Sequence, residues 1–213
     1  SNLLNKTTGD DPPESVVDSD FLSGCVMGGI RLYGELSNRV NNVEHSSVEE
    51  LLNALRTDVG SDSTTPNNVI SSLKLLDSSP RQGILSASPD SPQCIESVLT
   101  QCQLDAPDKW SYIACVVTKP PETVLVLLRP PNGNASPSST SYVLLDSHPR
   151  PNCMPHRPNG SYALFHTSLD GLVGSLKKIF PVTNLGSDVP EMMAVMYNSF
   201  DVYPFQYQQS PHT

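Results

Sequence analysis

The sequence predicts an α+β fold, a helical lobe followed by an antiparallel β-sheet lobe. Three observations predict it. Apolar residues before position 105 recur at helical spacing. After Asp105-Ala106-Pro107 they alternate or cluster in short blocks rich in Val, Ile, Tyr and Leu. The stretches between are rich in Pro, Ser and Asn, which suits long polar loops around a modest core.

Residues 1–20 are polar, with Asp10-Asp11-Pro12-Pro13 in the middle, and read as an extended arm. Leu22, Val26, Ile30 and Tyr33 then recur at helical spacing, and Ser23 or Gly24 could cap that helix. Ser47-Val48-Glu49-Glu50 is a capping box ahead of Leu51, Leu52 and Leu55. Thr65-Pro66 opens a third helix, with Val69, Ile70, Leu73 and Leu76 on its apolar face. Ser91-Pro92 opens a fourth, carrying Cys94, Ile95, Val98, Leu99 and Cys102.

In the second half, Trp110 to Thr118 and Thr123 to Arg129 read as strands, followed by shorter ones at 141–146 and 162–165. Thr167-Ser168-Leu169-Asp170 caps a helix with Leu172, Val173, Leu176 and Ile179 on one face. Met192 to Phe205 reads as a short helical or extended piece and then a last strand. The Pro- and Ser-rich stretches at 77–92 and 130–140 read as surface loops. The expected organisation is an arm at 1–20 and one domain over 21–213, with the helical lobe at 21–105 and the sheet lobe at 106–213.

The chain has 213 residues, enough to bury a real core, and a formal charge of −9. That charge argues against a nucleic-acid partner, because phosphate binding needs clustered Lys and Arg. No apolar run approaches the length of a membrane span, and Ser1-Asn2-Leu3 does not open like a signal peptide, so no membrane association is expected. The 5 cysteines, Cys25, Cys94, Cys102, Cys115 and Cys153, are odd in number and irregular in spacing. They suggest free thiols in a reducing compartment, cytoplasmic or nuclear. Cys153-Met154-Pro155-His156 has a metal-like spacing but lacks a second pair, so neither a metal nor another cofactor is expected.

Two short features carry chemistry. Asp146 and His148 close a strand. Alternation would put both side chains on one face, with backbones about 7 Å apart. Asp146 could then accept from Nδ1–H of His148, fixing the tautomer and leaving Nε2 as a base. Asp-x-His is also a common way for a strand to enter a loop. Cys25 would lie in the first turn of its helix, where the dipole favours the thiolate. The competing role is a small core cysteine. Cys94, Cys102 and Cys115 sit in apolar patterns and read as core. Gly28-Gly29 lies inside the same early helix as Cys25, and marks a place where a backbone or a slim substrate tail could approach closely.

The layout as a whole resembles the herpesvirus large tegument protein deubiquitinases and their cellular tegument-like relatives, in the papain-like clan of cysteine peptidases. A Cys opens an early helix, a helical lobe follows, and Asp-x-His ends a strand far downstream. The run Tyr142-Val143-Leu144-Leu145-Asp146-Ser147-His148 looks like that family's His-bearing strand. Gly160-Ser161-Tyr162-Ala163-Leu164-Phe165 and Ser168-Leu169-Asp170-Gly171-Leu172 look like its next strand and helix.

The resemblance implies a papain-like fold and a deubiquitinase acting on ubiquitin or ubiquitin chains. Cys25 would attack the carbonyl after the Gly-Gly tail, His148 would move the proton, and Asp146 would orient His148. The family places a Gln upstream of its Cys to hold the oxyanion, and residues 1–24 contain none. Asn5, Asp10, Asp11 or the backbone N–H of Cys25 would have to serve. The alternatives are a catalytically impaired relative kept as a protein-interaction module, and an unrelated α+β interaction domain.

Overall fold

The structure, a computed structural model, describes residues 27, 50, 73–77, 79–106, 112–129, 142–151 and 160–207. The arm at 1–20 and the loop at 130–140 lie outside them. So do the helices expected at 22–33 and 47–55, apart from Met27 and Glu50, both helical. The described residues form an α+β fold of three helices and seven strands. The strands are β1 (Leu73–Leu75), β2 (Arg81–Ile84), β3 (Ile113–Lys119), β4 (Glu122–Leu128), β5 (Tyr142–Asp146), β6 (Tyr162–His166) and β7 (Ser199–Tyr207). The helices are α1 (Ile95–Leu104), α2 (Leu169–Ile179) and α3 (Glu191–Asn198).

The chain divides into two compact units, one holding 77–204 and the other 18–76 and 205–213. In the first, β7, β3, β4, β5 and β6 are successive neighbours, and β2 also pairs with β7. The pairings β3–β4, β4–β5, β5–β6 and β2–β7 are antiparallel. In the second, β1 pairs antiparallel with the last residues of β7, Leu73 opposite Tyr207 and Leu75 opposite Phe205.

Strand alternation builds the core. Register aligns Ile113, Leu128, Tyr142 and His166 across four strands, and Cys115, Val126, Leu144 and Leu164 beside them. All of these are buried except Tyr142, which is half-buried. A third row joins Val117 to Val124 and Asp146 to Tyr162, again all buried. Asp146 therefore occupies a core position at the end of an otherwise apolar face. The face is covered in part by α2, which packs on β5 and β6 through an apolar stripe including Leu172, Val173, Leu176 and Ile179. Ser168 caps this helix, its Oγ accepting from the Gly171 N–H at 3.2 Å. Asp170 in the first turn and Lys177 and Lys178 in the last complement the helix dipole.

Helix α1 forms close to where Ser91-Pro92 predicts one but opens later, at Ile95, with Ser91-Pro92 in the turn before it. Its cap is Cys94, whose Sγ accepts from Ser97 N–H at 3.4 Å. Ile95, Val98, Leu99 and Cys102 are buried. Two expectations need correction. Leu73 and its neighbours, expected on a helix face, form strand β1, because the end of β7 offers them a hydrogen-bonding ladder. The stretch 77–92, expected to be loop, contains β2, whose residues pair with Ser199 to Val202. The ambiguous stretch near the end is α3 followed directly by β7.

Candidate functional site

Asp146 is the last residue of β5, and its side chain is 0% exposed. A carboxylate without solvent needs donors, and three are present. Oδ1 accepts from the His148 backbone N–H at 2.8 Å. Oδ2 accepts from Arg150 Nε at 2.8 Å and from the Tyr162 hydroxyl at 3.3 Å. Tyr162 stands directly opposite Asp146 on β6, so sheet register supplies that donor.

His148 differs from the expectation in how it is held. The chain has already left the strand, and a turn closed by Asp146 Oδ1 and the His148 N–H replaces simple alternation. The ring still returns toward the same carboxylate. His148 Nδ1 lies 3.5 Å from Asp146 Oδ1 and 3.3 Å from Ser147 Oγ. The His148 side chain is 63% exposed, so a proton-transfer group open to solvent sits over a buried, fixed anion. Cys25, the third member of the expected triad, lies outside the described residues, as does Cys153.

The sequence reading missed two charged residues here. Arg150, with a side chain 15% exposed, contacts Asp146 and also donates through Nη2 to Glu122 Oε2. Glu122 is the first residue of β4, and continuing the β4–β5 register brings it level with position 148. The hydrogen bond from Arg150 holds the Glu122 carboxyl below the usual carboxylate range, with a smaller contribution from His148. Glu122 in turn, and Asp146 after it, hold Arg150 firmly protonated. A signal did exist: Arg150 follows Asp146 by four residues, and an Arg next to a buried Asp is the ordinary way to balance its charge.

Other candidates resolve as structure. Cys94 is the cap of α1, and Cys102 and Cys115 are fully buried. These two share a hydrogen bond that lowers the Cys102 thiol and, with burial, raises that of Cys115. His166 is buried at the end of β6, and neither ring nitrogen has a hydrogen-bond partner. Burial, and to a lesser degree the charge of Lys178, lowers its titration. Among the described residues no group of His, Cys, Asp and Glu could hold a metal ion. No helix among them is long and apolar enough to cross a membrane. No protein-family model matches the sequence, and no curated protein matches it either.

Proposed function

We propose that the chain is a thiol hydrolase of papain-like type, with Cys25 as nucleophile, His148 as general acid and base, and Asp146 as the group that orients His148. Its substrate on this reading is the (iso)peptide bond after the Gly-Gly tail of ubiquitin, which makes it a deubiquitinase. The observation that carries the reading is the buried Asp146 carboxylate, anchored by three donors, beneath an exposed imidazole 3.5 Å away. Neutral His148 with its proton on Nδ1, facing Asp146, leaves Nε2 as an acceptor. It would take the Cys25 proton as sulfur attacks the carbonyl, then return it to the leaving amine as the thioester forms. Water, deprotonated by the same imidazole, would release the acid and the thiol.

One observation favours a second reading, a catalytically impaired relative that binds without cleaving. Residues 1–24 contain no Gln to steady the oxyanion, a donor commonly worth about 3–4 kcal/mol of barrier. A ubiquitin carrying an electrophile at its C-terminus tests both readings. Labelling of the wild type that is lost in Cys25→Ala and in His148→Ala supports the enzyme. Labelling that persists in Cys25→Ala refutes this nucleophile. Absence of labelling with ubiquitin binding retained selects the binding module.

A further inference from the structure

We propose that Arg150 is a positioning residue for His148: tethered by Glu122, its guanidinium holds the Asp146 carboxylate so that Oδ1 faces the imidazole. The inference rests on the reading of His148 as the base. A carboxylate can rotate about its last torsion, and either oxygen can face a neighbour. Here Arg150 Nε, at 2.8 Å, and the Tyr162 hydroxyl, at 3.3 Å, both occupy Oδ2. That leaves Oδ1 for the turn N–H at 2.8 Å and for Nδ1 of the ring at 3.5 Å. The two oxygens are thus assigned different tasks, and Arg150 is the charged group that assigns them.

The fork of the guanidinium is what the arrangement uses. Nε meets Asp146, at the end of β5, while Nη2 meets Glu122, at the start of β4. A planar cation can bridge two carboxylates in fixed directions, whereas a lysine ammonium is a point charge on a flexible stem. Glu122 also answers an electrostatic difficulty. Arg150 alone would cancel the Asp146 charge, and an imidazolium formed beside a neutral pair gains little. Two carboxylates around one guanidinium leave one negative charge over. Glu122 lies near enough to His148 for their charges to interact. The cluster therefore fixes the geometry of Asp146 without spending its field.

The test uses the full chain and the variants Arg150→Lys, Arg150→Gln and Glu122→Gln. Nitrogen NMR of the neutral His148 ring reads the tautomer, and a fluorogenic ubiquitin C-terminal amide reads kcat and KM. In the wild type the proton is expected on Nδ1. Both Arg150 variants are expected to mix the tautomers and lower kcat by about 10- to 100-fold, the usual effect of a misplaced catalytic group, with KM little changed. Lysine keeps the charge, so its failure to rescue identifies the fork. Glu122 is more exposed, and Glu122→Gln serves if the Arg150 variants do not fold. It should keep the Nδ1 tautomer while kcat drops several-fold. A wild-type tautomer and kcat in Arg150→Gln, or an unchanged kcat in Glu122→Gln, overturns the proposal. Tautomer mixing in a chain that cleaves no ubiquitin refutes the deubiquitinase reading and leaves the positioning role standing.

Discussion

Replacing Asp146 by Asn probes the anchor directly. Asn keeps an oxygen to accept the His148 N–H, and the volume hardly changes. In place of Oδ2, however, it presents an NH₂ group to Arg150 Nε, which now stands 2.8 Å from a carboxylate oxygen. A hydrogen bond to a charged group is worth about 1.5–3 kcal/mol, and leaving a buried donor without its acceptor costs about 1–3 kcal/mol more. Arg150 keeps its bond to Glu122, and the Tyr162 hydroxyl can turn to accept from the new amide, so the loss stays near the lower end of that sum. Asp146→Asn should therefore destabilise the fold by about 3 kcal/mol. For a chain of this length that is a fall of roughly 6–12 °C in Tm. Urea unfolding followed by tryptophan fluorescence and far-UV circular dichroism measures it. Tyr162→Phe, which removes the longer 3.3 Å bond to Asp146, should cost about 1 kcal/mol or less. An Asp146→Asn protein within about 1 kcal/mol of wild type would mean that the carboxylate is not the buried anchor described, and the reasoning fails.

Three further outcomes are expected. Gly83→Ala should destabilise by about 1–3 kcal/mol or more in the same unfolding experiment, because a Cβ there would fall 2.1 Å from Phe200 Cζ and 2.8 Å from Gln93 O, in a place with no room to yield. Acid should weaken the fold through His166. Its folded form titrates below the ordinary 6.5, so between the two values the unfolded chain binds the extra proton. The contribution of His166 is whole above that ordinary value and is lost as pH falls below it. His166→Leu should accordingly flatten the drop in urea midpoint between about pH 7.5 and about pH 5.5. On α3, Met192 is 72% exposed, and Met192→Gln should leave stability within about 0.5 kcal/mol by thermal unfolding.

Much of the sheet was legible in one dimension. Val124, Val126 and Leu128 alternate with less buried neighbours, and Ile113, Cys115 and Val117 do the same on the paired strand. The apolar runs behind these strands are local, so the sequence carries them, but Leu125 and Leu127 are as apolar as their buried neighbours and only the fold leaves them less buried. Helix α2 announced itself through its cap and its apolar spacing and α1 through its apolar spacing, which are also local, although the cap of α1 is Cys94 and not Ser91. Strand β2 did not, because Arg-Gln-Gly-Ile has no pattern of its own and becomes a strand only when β7 lies beside it. The stretch from Met192 to Phe205 was half legible: its last strand was expected, and the piece before it, read as helical or extended, is α3. At the junction of α3 and β7 lies buried Asn198, whose side chain accepts from Thr183 N–H and donates to the carbonyls of Thr183, fifteen residues away, and of Ala194, four away.

The candidate site divides in the same way. Asp146 and His148 were legible as a pair because two residues at a strand end are bound to be near each other. Their sequence spacing suggested that the ring takes the carboxylate, whereas the shorter bond goes to the His148 backbone N–H. The sequence by itself determined the α+β class, the strands β3 to β6 and the closeness of Asp146 to His148, all consequences of local composition and spacing. Only the tertiary structure decided that Asp146 is buried, that Tyr162 faces it, and that Arg150 joins it to Glu122. Those facts depend on register between strands far apart in the chain, and register is settled by the packing of the whole buried face.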